Sequence, residues 1–208
     1  MRFRFRNAVL PLVIINAIVF ALQIFLGSWF TESFMLISSD IFTRPWILLT
    51  SMFLHGSIFH LFFNMYVLFM FGSLLESRIG TKKFLFIYFI SGIVASFGSS
   101  FFYARALGAS GAIYGLLGMI VILIPEIRVM PLFLPIPMKL WQALLFFVFL
   151  DLFIFSGIAV MAHIAGAVCG LVYALTLKKQ KTSFHRKFSS KAHMDEKDIE
   201  EYFRSGRI

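Results

Sequence analysis

The chain has 208 residues, 60% of them hydrophobic and 14% charged, with a formal net charge of +9. Soluble globular domains run roughly 45–50% apolar and about 25% charged, so this composition excludes a water-solvated protein and points to lipid as the solvent. A lone Cys169 excludes a disulfide framework and a Cys-based metal site, and the basic residues gather beyond the ends of apolar runs, a pattern of membrane topology rather than of nucleic-acid binding.

The length suits one bundle of about six spans at roughly 20 residues each. The first apolar run, residues 8–26, follows Arg2, Arg4 and Arg6. It is too long for a secretory h-region and no small-x-small cleavage site follows, so it reads as the first span. Residues 46–75 form a longer apolar stretch, interrupted by His55-Gly56-Ser57. Unbroken, it would overshoot a hydrocarbon core of about 30 Å at about 1.5 Å per residue. The second span therefore starts near Ser57, and residues 27–56 become a long, partly apolar loop in the membrane interface. The third span covers residues 84–103. The fourth opens at Ser110 and stops before Pro125, at about 22 Å too short for the bilayer. The fifth covers residues 138–155 and the sixth 158–177. The expectation is an all-α integral membrane protein: a cytoplasmic N-terminus (1–7), a six-helix membrane domain (8–177) and a charged cytoplasmic tail (178–208). The tail reads as mostly irregular, with one short helix near 195–204 that suits anionic lipid.

Six spans put both ends on one side of the membrane. Seventeen of the 19 Lys and Arg residues then share that side, and only Arg44 and Arg105 fall opposite. The positive-inside rule makes the crowded side cytoplasmic, as in a multi-pass protein of the cell membrane.

Polar groups within spans are costly and mark function by default. Here they are His60, Asn64, Ser110, Asp151 and His163, with Tyr66 and Tyr114 as milder cases. His60 and Asn64, spaced i, i+4, share one face of the second span. Ser110 opens a short helix after the Gly-containing segment 104–109, and irregular backbone at depth is tolerated only inside protein or beside a wet cavity. Counted from the outer ends of their helices, His60, Asn64, Ser110 and His163 converge on one recessed layer.

Three segments resemble the signatures of the rhomboid proteases: His60-Leu-Phe-Phe-Asn64, Gly108-Ala-Ser110-Gly111-Ala-Ile-Tyr114-Gly115 and Ala162-His163-Ile-Ala-Gly166-Ala-Val-Cys-Gly170. They occur in the family's order, on the second, fourth and sixth spans. Phe53-Leu54-His55 and Glu76-Ser-Arg78-Ile-Gly80 are similar to family sequence as well. The first outer loop departs from it, with Arg44-Pro45-Trp46 where many members carry a Trp-Arg pair. The resemblance implies a six-helix rhomboid-type bundle and an intramembrane serine endopeptidase without cofactor. It implies Ser110 as nucleophile and His163 as general base. His60, Asn64 and the Ser110 backbone N–H would form an oxyanion hole, and Tyr114 would stack on His163. The implied substrates are transmembrane helices that unwind near the outer face.

The residue types suit that chemistry. A serine hydroxyl needs a neighbouring base, and neutral histidine serves near pH 7. Fourth and sixth spans must then approach closely, and small residues permit it: Gly111, Gly115 and Gly118 are grouped on the fourth, and Gly166 and Gly170 share one face of the sixth with His163. Asp151 stays open between a third catalytic member, a structural or gating carboxylate, and a water-facing residue near a helix end. The Phe-rich fifth span (Phe146, Phe147, Phe149, Phe153) is the candidate lateral gate. His55 and His60, at i, i+5 with no carboxylate or Cys nearby, do not make a metal site. The alternative function is a non-catalytic rhomboid-like binder of client helices; such relatives typically lack the serine or the histidine. A transporter would call for more buried charge and an internal repeat, and neither is present.

Overall fold

A computed structural model describes residues 7–131, 134–153, 159–188 and 196–205. From Val9 to Thr31 the sequence carries no charged residue, and it forms helix α1, Val9–Phe34. Its first turn lacks intrahelical partners, and a distant carboxylate supplies them. Glu76 accepts from the Ala8 N–H at 2.8 Å and from the Val9 N–H at 3.4 Å, while the Thr81 hydroxyl donates to the same side chain at 2.7 Å.

The first span does not end at Leu26 as expected; the chain only kinks at Gly27, at φ 71° and ψ −155°, a conformation open to glycine. Helix then resumes to Phe34, and the segment expected as a loop is a folded layer. Strand β1 (Leu36–Ile37) pairs antiparallel with β2 (Arg105–Ala106), with Leu36 opposite Ala106. Helix α2 (Ile47–Thr50) follows, and Leu36, Ile41 and Ile47 bury one another in a small separate core. Arg44 and Arg105, the two cations predicted to share a side, meet here at Glu32: Arg44 donates to its carbonyl oxygen and Arg105 to its carboxylate, each at 3.4 Å. Gln23 of α1 clasps the His55 peptide, accepting from its N–H at 2.9 Å and donating to its carbonyl at 3.3 Å.

Helix α3 (Ile58–Val67) starts where expected because Ser57 caps it, its hydroxyl accepting from the His60 N–H at 3.1 Å. A π turn at Leu68–Gly72 carries it into α4 (Ser73–Ile79), giving one span of 22 residues. Gly80, at φ 79°, ends it. Helix α5 occupies Thr81–Ser99 rather than 84–103. It stops early because the Ser99 and Ser100 hydroxyls turn back onto the Ser96 and Phe97 carbonyls, releasing the chain toward β2. Helix α6 (Ser110–Leu123) has the short length expected of it and is buried nearly all round, between α5 and α8.

Strands β3 (Arg128–Val129) and β4 (Met138–Lys139) pair between α6 and α7 (Leu140–Phe153). Helix α8, Val160–Phe188, does not end at 177 as expected. Lys178, Lys179 and Gln180 are good helix formers, and the helix runs on through the start of the basic tail. The last helix, α9 (Glu196–Ser205), lies within a residue of the expected short helix. It rests on the α4–α5 turn, where the Lys83 ammonium donates to the Phe203 carbonyl. Helices α1, α3–α4, α5 and the first part of α8 are long and apolar enough to cross a membrane; α6 and the bulk of α7 are shorter apolar helices. The architecture is that of an all-α membrane protein.

Candidate active site

The site begins with how closely α6 and α8 approach. A Cβ on Gly166 or Gly170 would overlap the carbonyl oxygens of Gly111 and Gly115, and one on Gly118 would overlap the backbone at Ala167. Glycine at these positions lets the two backbones touch. This contact sets His163, in the first turn of α8, beside Ser110, the first residue of α6. The Ser110 hydroxyl and His163 Nε2 are 2.8 Å apart.

Ser110 follows a sharp local bend. Gly108 has φ +129°, a value that L side chains rarely adopt, and its N–H donates to the Ser51 carbonyl at 2.9 Å. A Cβ there would stand 2.9 Å from His60 Nε2 and 3.7 Å from the Ser110 hydroxyl oxygen. Glycine therefore clears the space in which the His60 ring lies next to the serine. No side chain caps the α6 N-terminus, so its first-turn N–H groups remain available to an anion.

His60 and Asn64 lie on successive turns of α3. His60 Nδ1 accepts from the Gly56 N–H at 3.4 Å, which places the ring proton on Nε2, the nitrogen beside Gly108. Asn64 is buried, and its Nδ2 has no hydrogen-bond partner among the described residues. A buried amide donor left unpaired costs free energy. Tyr66 faces outward instead, stacked on Phe62 at 6.4 Å.

Around His163 the structure adds a member that spacing left open. Tyr114, one turn below Ser110 on α6, stacks on the His163 ring with centroids 4.1 Å apart and planes 6° apart. Asp151 reaches in from α7. Its Oδ2 lies 2.7 Å from His163 Nδ1 and accepts from the Tyr114 hydroxyl at 2.9 Å. The Asp151 and His163 side chains are only 11% and 8% exposed, so Asp151 is not a water-facing residue. The available signal was its position: a carboxylate on an otherwise apolar helix needs a buried partner. With the Nδ1 proton directed at a carboxylate, Nε2 is left as an acceptor for the serine proton. Among the described residues no group of three or more His, Cys, Asp or Glu is placed to hold a metal.

Comparison with known proteins agrees with the architecture. A family model described as the rhomboid domain matches residues 43–180. Rhomboid protein 1, mitochondrial, of Saccharomyces cerevisiae is 30% identical over 190 residues, covering 84% of this chain and 54% of that protein. The mouse presenilin-associated rhomboid-like protein, mitochondrial, is 33% identical over 143 residues, covering 63% of this chain and 37% of its own length. A Bacillus subtilis protein named "Putative rhomboid protease YdcA" is 34% identical over 140 residues, covering 65% of this chain and 69% of that protein. The chain thus spans about half or less of the yeast and mouse relatives.

Proposed function

Starting from a chain that belongs to the rhomboid family, we propose that it is an intramembrane serine endopeptidase acting through Ser110 and His163. The observation that carries this reading is the 2.8 Å hydrogen bond between them, formed in a buried layer by two helices that glycine lets touch. The Ser110 oxygen attacks a substrate carbonyl carbon as its proton passes to His163 Nε2. The resulting oxyanion faces His60 Nε2–H, the Asn64 amide and the Ser110 N–H. When the C–N bond breaks, His163 returns the proton to the leaving amine, and water then releases the acyl group by the same route in reverse. The unpaired Asn64 donor supports this assignment, because an oxyanion would complete it. A non-catalytic binder of client helices is disfavoured, since such a role gives no reason for the serine and histidine to be bonded.

Substrates are transmembrane-helix proteins, because the layer holding Ser110 lies within the lipid-facing bundle. A helix with small residues near the outer face unwinds most readily to present a carbonyl. The distribution of Lys and Arg supports a cell-membrane orientation with both termini cytoplasmic. The test is cleavage of a single-span reporter with a small-residue outer segment, co-reconstituted in liposomes. The native chain is expected to cut it once near the outer face, and Ser110→Ala and His163→Ala to leave it whole. Cleavage persisting in Ser110→Ala contradicts the reading.

A further inference from the structure

Asp151 stands on an apolar helix, Leu-Trp-Gln-Ala-Leu-Leu-Phe-Phe-Val-Phe-Leu-Asp-Leu-Phe, where an ionisable group is costly unless it has partners. It has two. Both the His163 Nδ1 and the Tyr114 hydroxyl meet the same oxygen, Oδ2. Tyr114 also stacks flat on the imidazole, so the ring is held across its face by the phenol and along its edge by the carboxylate. The carboxylate comes from α7, which packs against α6 and α8 far less extensively than those two pack against each other. The Ser110–His163 contact is thus made by the glycine-packed pair, and its third member is brought in by a separate helix.

We propose that Asp151 is the positioning residue of this pair. It fixes His163 with the proton on Nδ1, and it offsets the positive charge that the imidazole acquires on taking the Ser110 proton. The inference rests on the peptidase reading and deepens it. Stacking alone would orient the ring without choosing between its tautomers; the carboxylate chooses the one whose Nε2 can accept. Burial makes the choice strong, because a charge-assisted hydrogen bond gains strength where water is scarce.

The shared oxygen makes the test selective. In Asp151→Asn a carbonyl oxygen can occupy the Oδ2 position and keep both hydrogen bonds, so what is removed is charge. Asp151→Ala removes both bonds, and Asp151→Glu keeps the charge on a side chain one methylene longer. Turnover of the reporter and active-site titration with a serine-reactive phosphonate are measured for each variant alongside Ser110→Ala. Asp151→Asn is expected to lower kcat about 10-fold or more and Asp151→Ala about 100-fold or more, with KM changed less than about 2-fold. Asp151→Glu is expected to recover part of the alanine loss. The titration end-point stays at the native value in all three while its rate falls, because the site is present but slow. An end-point that drops in step with kcat assigns Asp151 a merely structural role and overturns the inference. Native turnover in Asp151→Ala, with Ser110→Ala inactive, overturns this inference alone; turnover surviving in Ser110→Ala removes the peptidase reading and this inference with it.

Discussion

Gly170 stands directly against the carbonyl oxygen of Gly115, with no room for a Cβ between them. One turn toward the N-terminus of α8, Gly166 stands in the same way against Gly111. These two contacts set the distance between α6 and α8, and so the distance between the serine and the histidine they carry. Gly170→Val forces the helices apart or into strain, at a stability cost of about 1–3 kcal/mol or more. It is expected to lower the thermal midpoint and abolish reporter cleavage, measured together on protein purified in detergent. A valine variant with native midpoint and native turnover contradicts the packing account.

Asn64 offers the opposite balance of stability and activity. Its Nδ2 is buried and unpaired among the described residues, so deleting it removes an unsatisfied donor rather than a bond. Asn64→Ala is expected to keep native stability within about 1 kcal/mol, read as a near-native thermal midpoint. Loss of one oxyanion donor typically lowers kcat about 10²–10³-fold. The paired measurement is kcat and midpoint on one preparation. A stable variant with unchanged kcat removes Asn64 from the oxyanion hole.

His55 makes the segment before α3 sensitive to acid. It lies in the loop before α3, and burial, aided by the facing His60 ring 5.0 Å away, holds its pKa down to about 3. In the unfolded chain the same imidazole titrates near 6.5, so it favours the fold fully above that pH and loses this contribution as pH falls toward 3. Between pH 7.5 and 5.0 the loss is up to about 2 kcal/mol. His55→Gln is expected to flatten that part of the acid dependence, read as the difference in thermal midpoint between the two pH values for each protein. Equal pH dependence in the native chain and the variant excludes the effect.

Much of this arrangement was legible in the sequence because it depends on local, directional signals. The interruption at His55-Gly56-Ser57, in an apolar stretch too long for one span, marked the start of α3, and Ser110 marked the start of a short helix after a Gly-containing segment. The close approach of α6 and α8 followed from small residues recurring on facing helices. Other features depended on contacts between distant segments and left no periodic trace. Residues 27–56 lacked a pattern of their own because β1 finds its partner in β2, nearly 70 residues later. The continuation of α8 past Lys178 was hidden by charge, which marks the end of a span but not the end of a helix. Asp151 was visible as a costly residue, but only the folded chain shows that His163 and Tyr114 both meet one of its oxygens. Glu76 likewise gains its meaning from the α1 N-terminus that it caps across the bundle.

The most direct test of the central claim is the chemical identity of the reactive oxygen. A fluorophosphonate probe is added to the native chain in detergent, and the adduct is located by peptide mass spectrometry. A single adduct on Ser110, lost when His163 is replaced by alanine, is the predicted result. Modification at another serine, or equal labelling of Ser110 with and without the imidazole, would contradict it.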